Sequence, residues 1–396
     1  MALYVQKFGG SSLASIERIN KVADIITKTR KAGHDVVVVV SAMQGETDRL
    51  IGLAKNISSK VVSREYDALV STGEQVSSSL LAMALQARGQ KARSYTGAQA
   101  GIYTDSHYRK ARIVDINTEV LKTDIHNGCM AVIAGFQGID NQGFVTTLGR
   151  GGSDITAVAV AAALRADECQ IFTDVEGVYT SDPRVVSSAR YLEKITFSEM
   201  LALSGVGAKV LQIRAVEFAQ KYKVPLRVLS SFSNGSGTLI TKNMHDRDDE
   251  LVISGVAFDR NQARITVPGL SKGKKQAQCV LDAINEASIE VDMALESEDF
   301  SFTVSRDEYQ HAFDVVSRVV DGGVVGNDQI AKLSLIGLDM KSHAGVASKI
   351  FQVLGEQGID VHSISSSEVK ISMVIDERHL EQGAQLLHSA FGLDVA

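Results

Sequence analysis

Leu3-Tyr4-Val5-Gln6-Lys7-Phe8-Gly9-Gly10-Ser11-Ser12 begins as an alternating apolar run, passes a lysine and two glycines, and leads into a helical pattern near Leu13. The stretch reads as a strand that turns into a helix through paired residues lacking a Cβ. Glycine tolerates positive φ, so backbone N–H groups can converge on an anion, and the N-terminus of a following helix adds partial positive charge. Lys7 can reach the same anion. These residues alone read either as a phosphate cradle or as a tight turn.

The same rhythm continues outward. Ile16, Ile19, Val22, Ala23 and Ile26 recur at helical spacing up to Gly33, and Asp35 to Ser41 carries the continuous valine run of a strand covered on both faces. That completes a βαβ unit. A helix is predicted from Gly73-Glu74 through Val76, Leu80, Leu81, Met83 and Ala84, then a buried strand over Ala131 to Phe136. Ile155 to Leu164 reads as helix, Cys169 to Thr173 as strand, Val210 to Tyr222 as helix and Leu226 to Leu229 as strand. This alternation predicts an α/β domain over residues 1–242, a mostly parallel sheet with helices on both faces.

After Lys242 the polar run Asn243-Met244-His245-Asp246-Arg247-Asp248-Asp249-Glu250 reads as a linker, with a first strand before residue 262. An internal repeat follows. Ala263-Arg264-Ile265-Thr266-Val267-Pro268-Gly269-Leu270 resembles Ala331-Lys332-Leu333-Ser334-Leu335-Ile336-Gly337-Leu338, and Phe302-Thr303-Val304 with Asp307-Glu308 recurs as Ile371-Ser372-Met373 with Asp376-Glu377. Each copy reads strand, helix, strand, strand, helix, which predicts two α+β (βαββαβ) modules at 263–330 and 331–396. Such modules have exposed sheet edges, and pairing them between chains predicts a homo-oligomer, at least a dimer.

Composition narrows the function classes. The 396 residues are 44% hydrophobic and 22% charged, an ordinary globular balance too long for one core. A formal net charge of −6 without a basic block argues against nucleic acid and membrane surfaces. The apolar run at Val36 to Val40 is too short to span a bilayer, and the N-terminus starts directly in a strand, so the expectation is a cytoplasmic protein. Cys129, Cys169 and Cys279 are far apart, without CxxC or a neighbouring histidine pair, and each reads as a small buried residue.

A second glycine-rich element, Thr146-Thr147-Leu148-Gly149-Arg150-Gly151-Gly152-Ser153-Asp154, again precedes an apolar helix. Arg150 offers a planar fork for a carboxylate or phosphate, and Asp154 could hold a cation or orient a lysine. The plainer reading is a loop with a helix-capping Ser or Asp. Two such loops, each with a cation, favour a pair of anion sites. The chain lacks GxxxxGK[ST], GxGxxG after a strand, HRD, DFG and GxSxG, so P-loop, Rossmann, protein-kinase and serine-hydrolase readings lack support. What remains is a kinase that holds phosphates with glycine loops and lysines.

Lys7-Phe8-Gly9-Gly10-Ser11-Ser12, Val40-Ser41-Ala42-Met43, Ser71-Thr72-Gly73-Glu74, Gly135-Phe136-Gln137-Gly138, the Gly149 to Asp154 loop, Thr173-Asp174-Val175-Glu176-Gly177-Val178-Tyr179-Thr180-Ser181-Asp182-Pro183-Arg184 and Gly207-Ala208-Lys209-Val210 together resemble the ordered motifs of aspartate kinases. The repeated tail resembles their paired ACT modules. The resemblance implies the amino-acid-kinase αβα sandwich, binding ATP and acceptor over the C-terminal ends of the strands, with Mg²⁺ carried on the ATP phosphates. It also implies phosphorylation of the L-aspartate side chain, the first step toward lysine, threonine and methionine, and feedback by lysine or threonine.

Carried over by position, the resemblance makes Lys7 and Asp154 the catalytic pair. Lys7, Gly9, Gly10, Ser41, Thr173, Asp174, Tyr179, Asp182, Arg184, Lys209 and Val210 would line ATP. Thr47, Glu74, Arg150, Gly151, Gly152 and Ser153 would hold aspartate, with Glu74 facing its ammonium. Asp292, Glu296, Ser342, Val346, Asp360 and Val361 would contribute to an effector site. Plainer readings stand beside three of these: Thr47 as a helix cap, Glu74 as a first-turn acid and Tyr179 as core.

The chain departs from the family pattern in places. Ile155 stands where threonine usually follows the aspartate, and Ser271-Lys272-Gly273-Lys274 replaces an aspartate-lysine-proline-glycine turn. Ala294-Leu295-Glu296-Ser297-Glu298 lacks the usual glutamine-asparagine-valine-serine element, and Ala344 stands for proline in Met340-Lys341-Ser342-His343-Ala344-Gly345-Val346. The Ile155 change adjoins the catalytic loop and bears on rate or nucleotide contacts, whereas the other changes fall on effector turns. The alternatives are a related kinase acting on glutamate, acetylglutamate or carbamate, and an inactive kinase half serving an amino-acid sensor.

Overall fold

The computed structural model describes residues 1–58, 61–206, 210–242, 253–269, 274–296, 299–320, 322–340 and 344–395. The chain divides into two compact units, one of residues 1–178, 191–204 and 209–246, the other of residues 179–190, 205–208 and 247–396.

In the first unit the strands are β1 (Leu3–Phe8), β2 (Asp35–Val40), β3 (Ala92–Tyr95), β4 (Ile102–Thr104), β5 (Ile113–Ile116), β6 (Met130–Ala134), β7 (Gln137–Ile139), β8 (Val145–Thr147), β9 (Glu168–Thr173), β10 (Lys194–Thr196), β11 (Leu226–Ser230) and β12 (Thr238–Thr241). The helices are α1 (Ile16–Lys31), α2 (Glu46–Ile57), α3 (Ser63–Val70), α4 (Thr72–Gln86), α5 (Glu119–His126), α6 (Gly152–Leu164), α7 (Phe197–Gly205) and α8 (Ile213–Tyr222). Eight strands form the main sheet in the order β10-β12-β11-β9-β1-β2-β6-β3. Its pairings are parallel except β11 with β12.

The order explains the sequence pattern. β2 lies between β1 and β6, and its five valines are buried, so both faces need apolar side chains. α1 turns Ile19, Val22, Ala23 and Ile26 toward that core and leaves Ile16 exposed. It starts at Ser15, whose side chain accepts from the Arg18 N–H at 3.2 Å. α6 is apolar on nearly every face and correspondingly buried.

Four sequence expectations change here. The paired glycines lead first into a 3₁₀ turn over Ser11–Leu13, with α1 starting only at Ile16. Gly10 has φ −60°, an ordinary right-handed value, so its missing Cβ matters for space: a Cβ there would lie 3.1 Å from the Ala42 carbonyl oxygen. Val210 lies in a turn ahead of α8. A second, four-stranded sheet, β5-β4-β7-β8, is built from strands too short to show a period in the sequence.

In the second unit, β13 (Ile253–Val267), α9 (Lys274–Glu286), β14 (Ala294–Glu296), β15 (Phe300–Ser305) and α10 (Tyr309–Val319) are repeated by β16 (Val325–Gly337), α11 (Ala344–Gly355), β17 (Ser363–Ser366), β18 (Lys370–Asp376) and α12 (Leu380–Ala390). Both copies share one sheet, β14-β15-β13-β16-β18-β17. Along β13, Ile253 to Asp259 pairs with Lys332 to Gly337, whereas Gln262 to Thr266 pairs with Val325 to Ile330. The strand read as an appendage of the linker thus belongs to the sheet of the second copy. Residues 243–252 of that linker lie outside the described residues.

Residues 179–190 pack within this unit. Val186 is part of the second copy's core, Thr180 O accepts from Val256 N at 2.7 Å, and Gln385 Nε2 donates to Val185 O at 2.8 Å. His388, fully buried on α12, shares a 2.8 Å hydrogen bond with Thr180 Oγ1. Of the cysteines, only Cys169 is buried; Cys279 is exposed on α9 and Cys129 is intermediate, so the buried reading fails for those two. Among the described residues no helix is long and apolar enough to cross a membrane.

Candidate active site

The parallel strands β9, β1, β2 and β6 end at one edge of the main sheet, and their following residues are hydrogen bonded across it. Gly9 N donates to Phe172 O at 3.2 Å, Ser41 N to Phe8 O at 3.1 Å and Gly135 N to Val40 O at 3.0 Å. At this edge Lys7 Nζ lies 2.6 Å from Asp154 Oδ1, both side chains about nine-tenths buried. Lys7 comes from β1 and Asp154 from the first turn of α6. An ion pair this dry repays its desolvation poorly as a stability device. A lysine held at the mouth of a sheet is, however, suited to meeting an incoming anion.

The helix start is shaped by space. Gly151, with φ +68°, caps α6 in the left-handed region, and a Cβ there would run into the Gln212 side chain. A Cβ on Gly135 would come within 2.9 Å of both Ser153 Oγ and Val40 O. Gly135 therefore lets Ser153 close on the ends of β2 and β6. Gly9 differs from its sequence reading: its N–H is engaged by Phe172 O, which leaves Gly10 as the open member of the pair.

Glu74 sits in the first turn of α4 and is 4% exposed. Its Oε1 accepts from Ala42 N at 3.0 Å, while Oε2 is buried without a hydrogen-bond partner among the described residues. Burial pushes its carboxyl up to about 7, against the lowering effect of the backbone N–H groups. A buried carboxylate oxygen lacking a donor is a fitting place for an ammonium group. Gly73 permits this approach, since a Cβ there would stand 2.9 Å from the Ala42 Cβ. Thr47 is the second residue of α2, which Gly45 caps at φ +79°, so the cap reading of Thr47 is excluded. Arg150 is exposed, with no hydrogen bond or ion pair among the described residues.

On the other side, Thr173 ends β9 and its Oγ1 donates to Asp174 Oδ1 at 3.0 Å. Tyr179, Asp182 and Arg184 belong to the second unit, where Asp182 and Arg184 form a bidentate pair with a closest approach of 2.7 Å. The Arg184 bond holds the Asp182 carboxyl below the usual range. Lys209 lies outside the described residues.

The model of the amino acid kinase family matches residues 2–230, and an ACT domain model matches residues 333–391. An aspartate kinase of Pseudomonas fluorescens is 54% identical over 406 aligned residues, covering 100% of this chain and 98% of that protein. The chain belongs to the aspartate kinases. Among solved structures, Escherichia coli aspartokinase III in complex with aspartate and ADP aligns with a TM-score of 0.79 at 26% identity, over 98% of this chain and 99% of that one. The same enzyme with lysine and aspartate aligns with a TM-score of 0.81 at 28% identity, over the same shares of both chains.

Of the effector residues, Asp292 pairs with Lys332 in the middle of the second unit's sheet. Val346 is buried in the core of the second copy and Val361 packs against it, so both side chains are engaged in packing. Asp360 is exposed, Glu296 ends β14, and Ser342 lies outside the described residues. Two groups of this kinase escaped the sequence reading. Arg18 stacks over the Phe232 ring at 3.8 Å and donates to Ser231 O at 2.8 Å, beside the end of β9. Asp67 is a fully buried carboxylate on α3. An acid inside an otherwise amphipathic helix was the signal for Asp67; nothing marked Arg18 among ordinary surface arginines.

Proposed function

We propose that this aspartate kinase transfers the γ-phosphoryl group of ATP to the side-chain carboxylate of L-aspartate, giving 4-phospho-L-aspartate and ADP. The observation that carries the assignment of roles is the Lys7–Asp154 pair, nearly dry, at the C-terminal edge of the parallel sheet. An aspartate side chain ionises near about pH 3.9, so at neutral pH it attacks phosphorus without a general base. A carboxylate oxygen forms the new P–O bond while the β–γ bridging bond breaks and ADP leaves. The obstacle is repulsion between anions, which cations and oriented N–H groups offset.

In this reading Lys7 bridges the transferring phosphoryl group, and Asp154 keeps its ammonium aimed there. Gly10 and, in the first turn of α6, Ser153 present N–H groups, since Gly152 N and Asp154 N are bonded to the carbonyls of Gly149 and Gly151. Glu74 receives the substrate ammonium and Arg150 its α-carboxylate, with Thr47 and Gly151 to Ser153 lining the same acceptor. Ser41, Thr173, Asp174 and Val210 serve the nucleotide. Mg²⁺ travels on the phosphates and reduces their charge. Lysine or threonine acts through the repeated modules, the chain assembles at least as a dimer through their edges, and it works in the cytoplasm.

The test is hydroxamate formation with ATP, Mg²⁺ and a panel of aspartate, glutamate and N-acetylglutamate, for the wild type and Lys7→Met. Product with aspartate alone, lost in Lys7→Met, is expected. Product from another acceptor, or unchanged turnover in Lys7→Met, would overturn the reading. Nucleotide binding without turnover, joined to heat stabilisation by lysine, would instead mark a sensor.

A further inference from the structure

Asp67 is fully buried, and its carboxylate is filled by donors from two other segments. Oδ2 accepts from Arg109 N at 2.9 Å and from Thr147 N at 2.7 Å; Oδ1 accepts from Thr147 Oγ1 at 2.9 Å, with Arg109 N at 3.1 Å. No side-chain cation is needed to satisfy it, because backbone N–H groups carry most of the load.

Both donor segments shape the loop that presents Arg150. Thr147 ends β8, two residues before Gly149. Arg109 stands at φ +70°, which a residue with a Cβ adopts only when held there, and its guanidinium stacks on the Tyr66 ring at 4.3 Å. Its carbonyl oxygen faces Gly149, at 3.0 Å from where a Cβ would be. Gly149 has φ +77° and its carbonyl accepts from Gly152 N at 3.0 Å, the start of α6. The Asp67 carboxylate thus fixes Arg109 and Thr147, and these two fix the turn at Gly149 ahead of Arg150.

The other end of Asp67 leads to Glu74. Its carbonyl accepts from Ser71 N at 3.1 Å, and Ser71 is the single residue between α3 and α4. Ser71 O in turn accepts from Gln137 Nε2 at 2.8 Å, and Glu74 follows in the first turn of α4. One buried side chain therefore joins the helix pair that carries Glu74 to the loop that carries Arg150.

We propose that Asp67 is a positioning residue for the acceptor: it sets the separation between the ammonium-binding carboxylate of Glu74 and the carboxylate-binding guanidinium of Arg150. The inference rests on the acceptor reading of those two residues. That separation matches the α-ammonium and α-carboxylate of an amino acid, so Asp67 governs affinity for the amino-acid end of the acceptor without touching it.

Asp67→Asn keeps the shape but turns an NH₂ toward backbone N–H donors. The KM for aspartate is expected to rise about tenfold, as losing about 1.4 kcal/mol of binding requires, with the KM for ATP within about twofold of wild type. The preference for aspartate over glutamate in kcat/KM is expected to stay unchanged, because both carry the same α-ammonium and α-carboxylate. Thr147→Val removes only the Oγ1 donor and is expected to raise the KM for aspartate about twofold to threefold; it decides the matter if Asp67→Asn does not fold. Asp124→Asn serves as control: Asp124 is a buried acid bonded to Tyr95 and Arg93, away from this loop, and its loss lowers stability while leaving both KM values unchanged. Equal rises in both KM values for Asp67→Asn, or a fall in Tm alone, overturn the proposal. Should Glu74→Gln and Arg150→Ala themselves leave the KM for aspartate unchanged, the acceptor reading fails instead.

Discussion

Glu74 offers the sharpest test, because burial has moved its carboxyl from the ordinary 4.5 to about 7. Below pH 4.5 both folded and unfolded chains carry it protonated, and burial costs nothing electrostatically. Between 4.5 and about 7 the unfolded chain ionises first, so stability declines as pH rises; above about 7 the full penalty is present. At about 1.36 kcal/mol per pH unit the loss is about 3 kcal/mol. An ammonium delivered to the unpartnered Oε2 reverses this, since it favours the ionised form.

Two measurements follow. Urea denaturation at pH 5 and pH 8 should show the wild type losing up to about 3 kcal/mol relative to Glu74→Gln over that interval, because Gln carries no charge to desolvate. The KM for aspartate should improve as pH rises through about 7 in the wild type, and by about tenfold per pH unit below it. Glu74→Gln should bind aspartate tens of times more weakly, without that inflection, since a hydrogen bond to a charged group contributes about 1.5–3 kcal/mol. A wild-type KM for aspartate that stays flat from pH 6 to 8, or a Gln variant that binds normally, would refute the argument.

Other outcomes are expected from the same geometry. Lys7→Met should lower kcat by about 10²–10³ in steady-state assays, the cost of removing one group that stabilises transition-state charge, with a loss of stability as Asp154 is left buried without its partner. Gly135→Ala should destabilise the chain by about 1–3 kcal/mol in urea titrations, because its Cβ would press on Ser153 and on the Val40 carbonyl at 2.9 Å. Thr180→Val should cost about 1–3 kcal/mol by leaving His388 Nε2 buried without a partner, read as a lower Tm.

Much of the first unit was legible because its periods are long and clean. The valine run of β2, the apolar face of α1 and the Ala-rich α6 announce strand, surface helix and buried helix from composition alone. The short strands β4, β5, β7 and β8 were not legible, since three or four residues show no reliable period and their pairing is non-local. Gly10 was legible as a necessary glycine, but for the wrong reason: its φ is ordinary, and the crowding comes from Ala42, a residue of another loop. The placement of Tyr179, Asp182 and Arg184 was missed because the apolar residues beside them, Val185 and Val186, pack into a core formed by the far end of the chain.

The sequence by itself determined the alternation of strands and helices, the two glycine loops with their cations, and the duplication in the tail. These are local or periodic properties, written in side-chain size and polarity along the chain. Tertiary structure alone decided that Lys7 meets Asp154, that Ile253 to Asp259 joins the second repeat and not the first, and that Glu74 titrates near 7. The physical reason is that a period reports which face of an element is apolar, whereas partner and desolvation depend on what distant segments bring to that face.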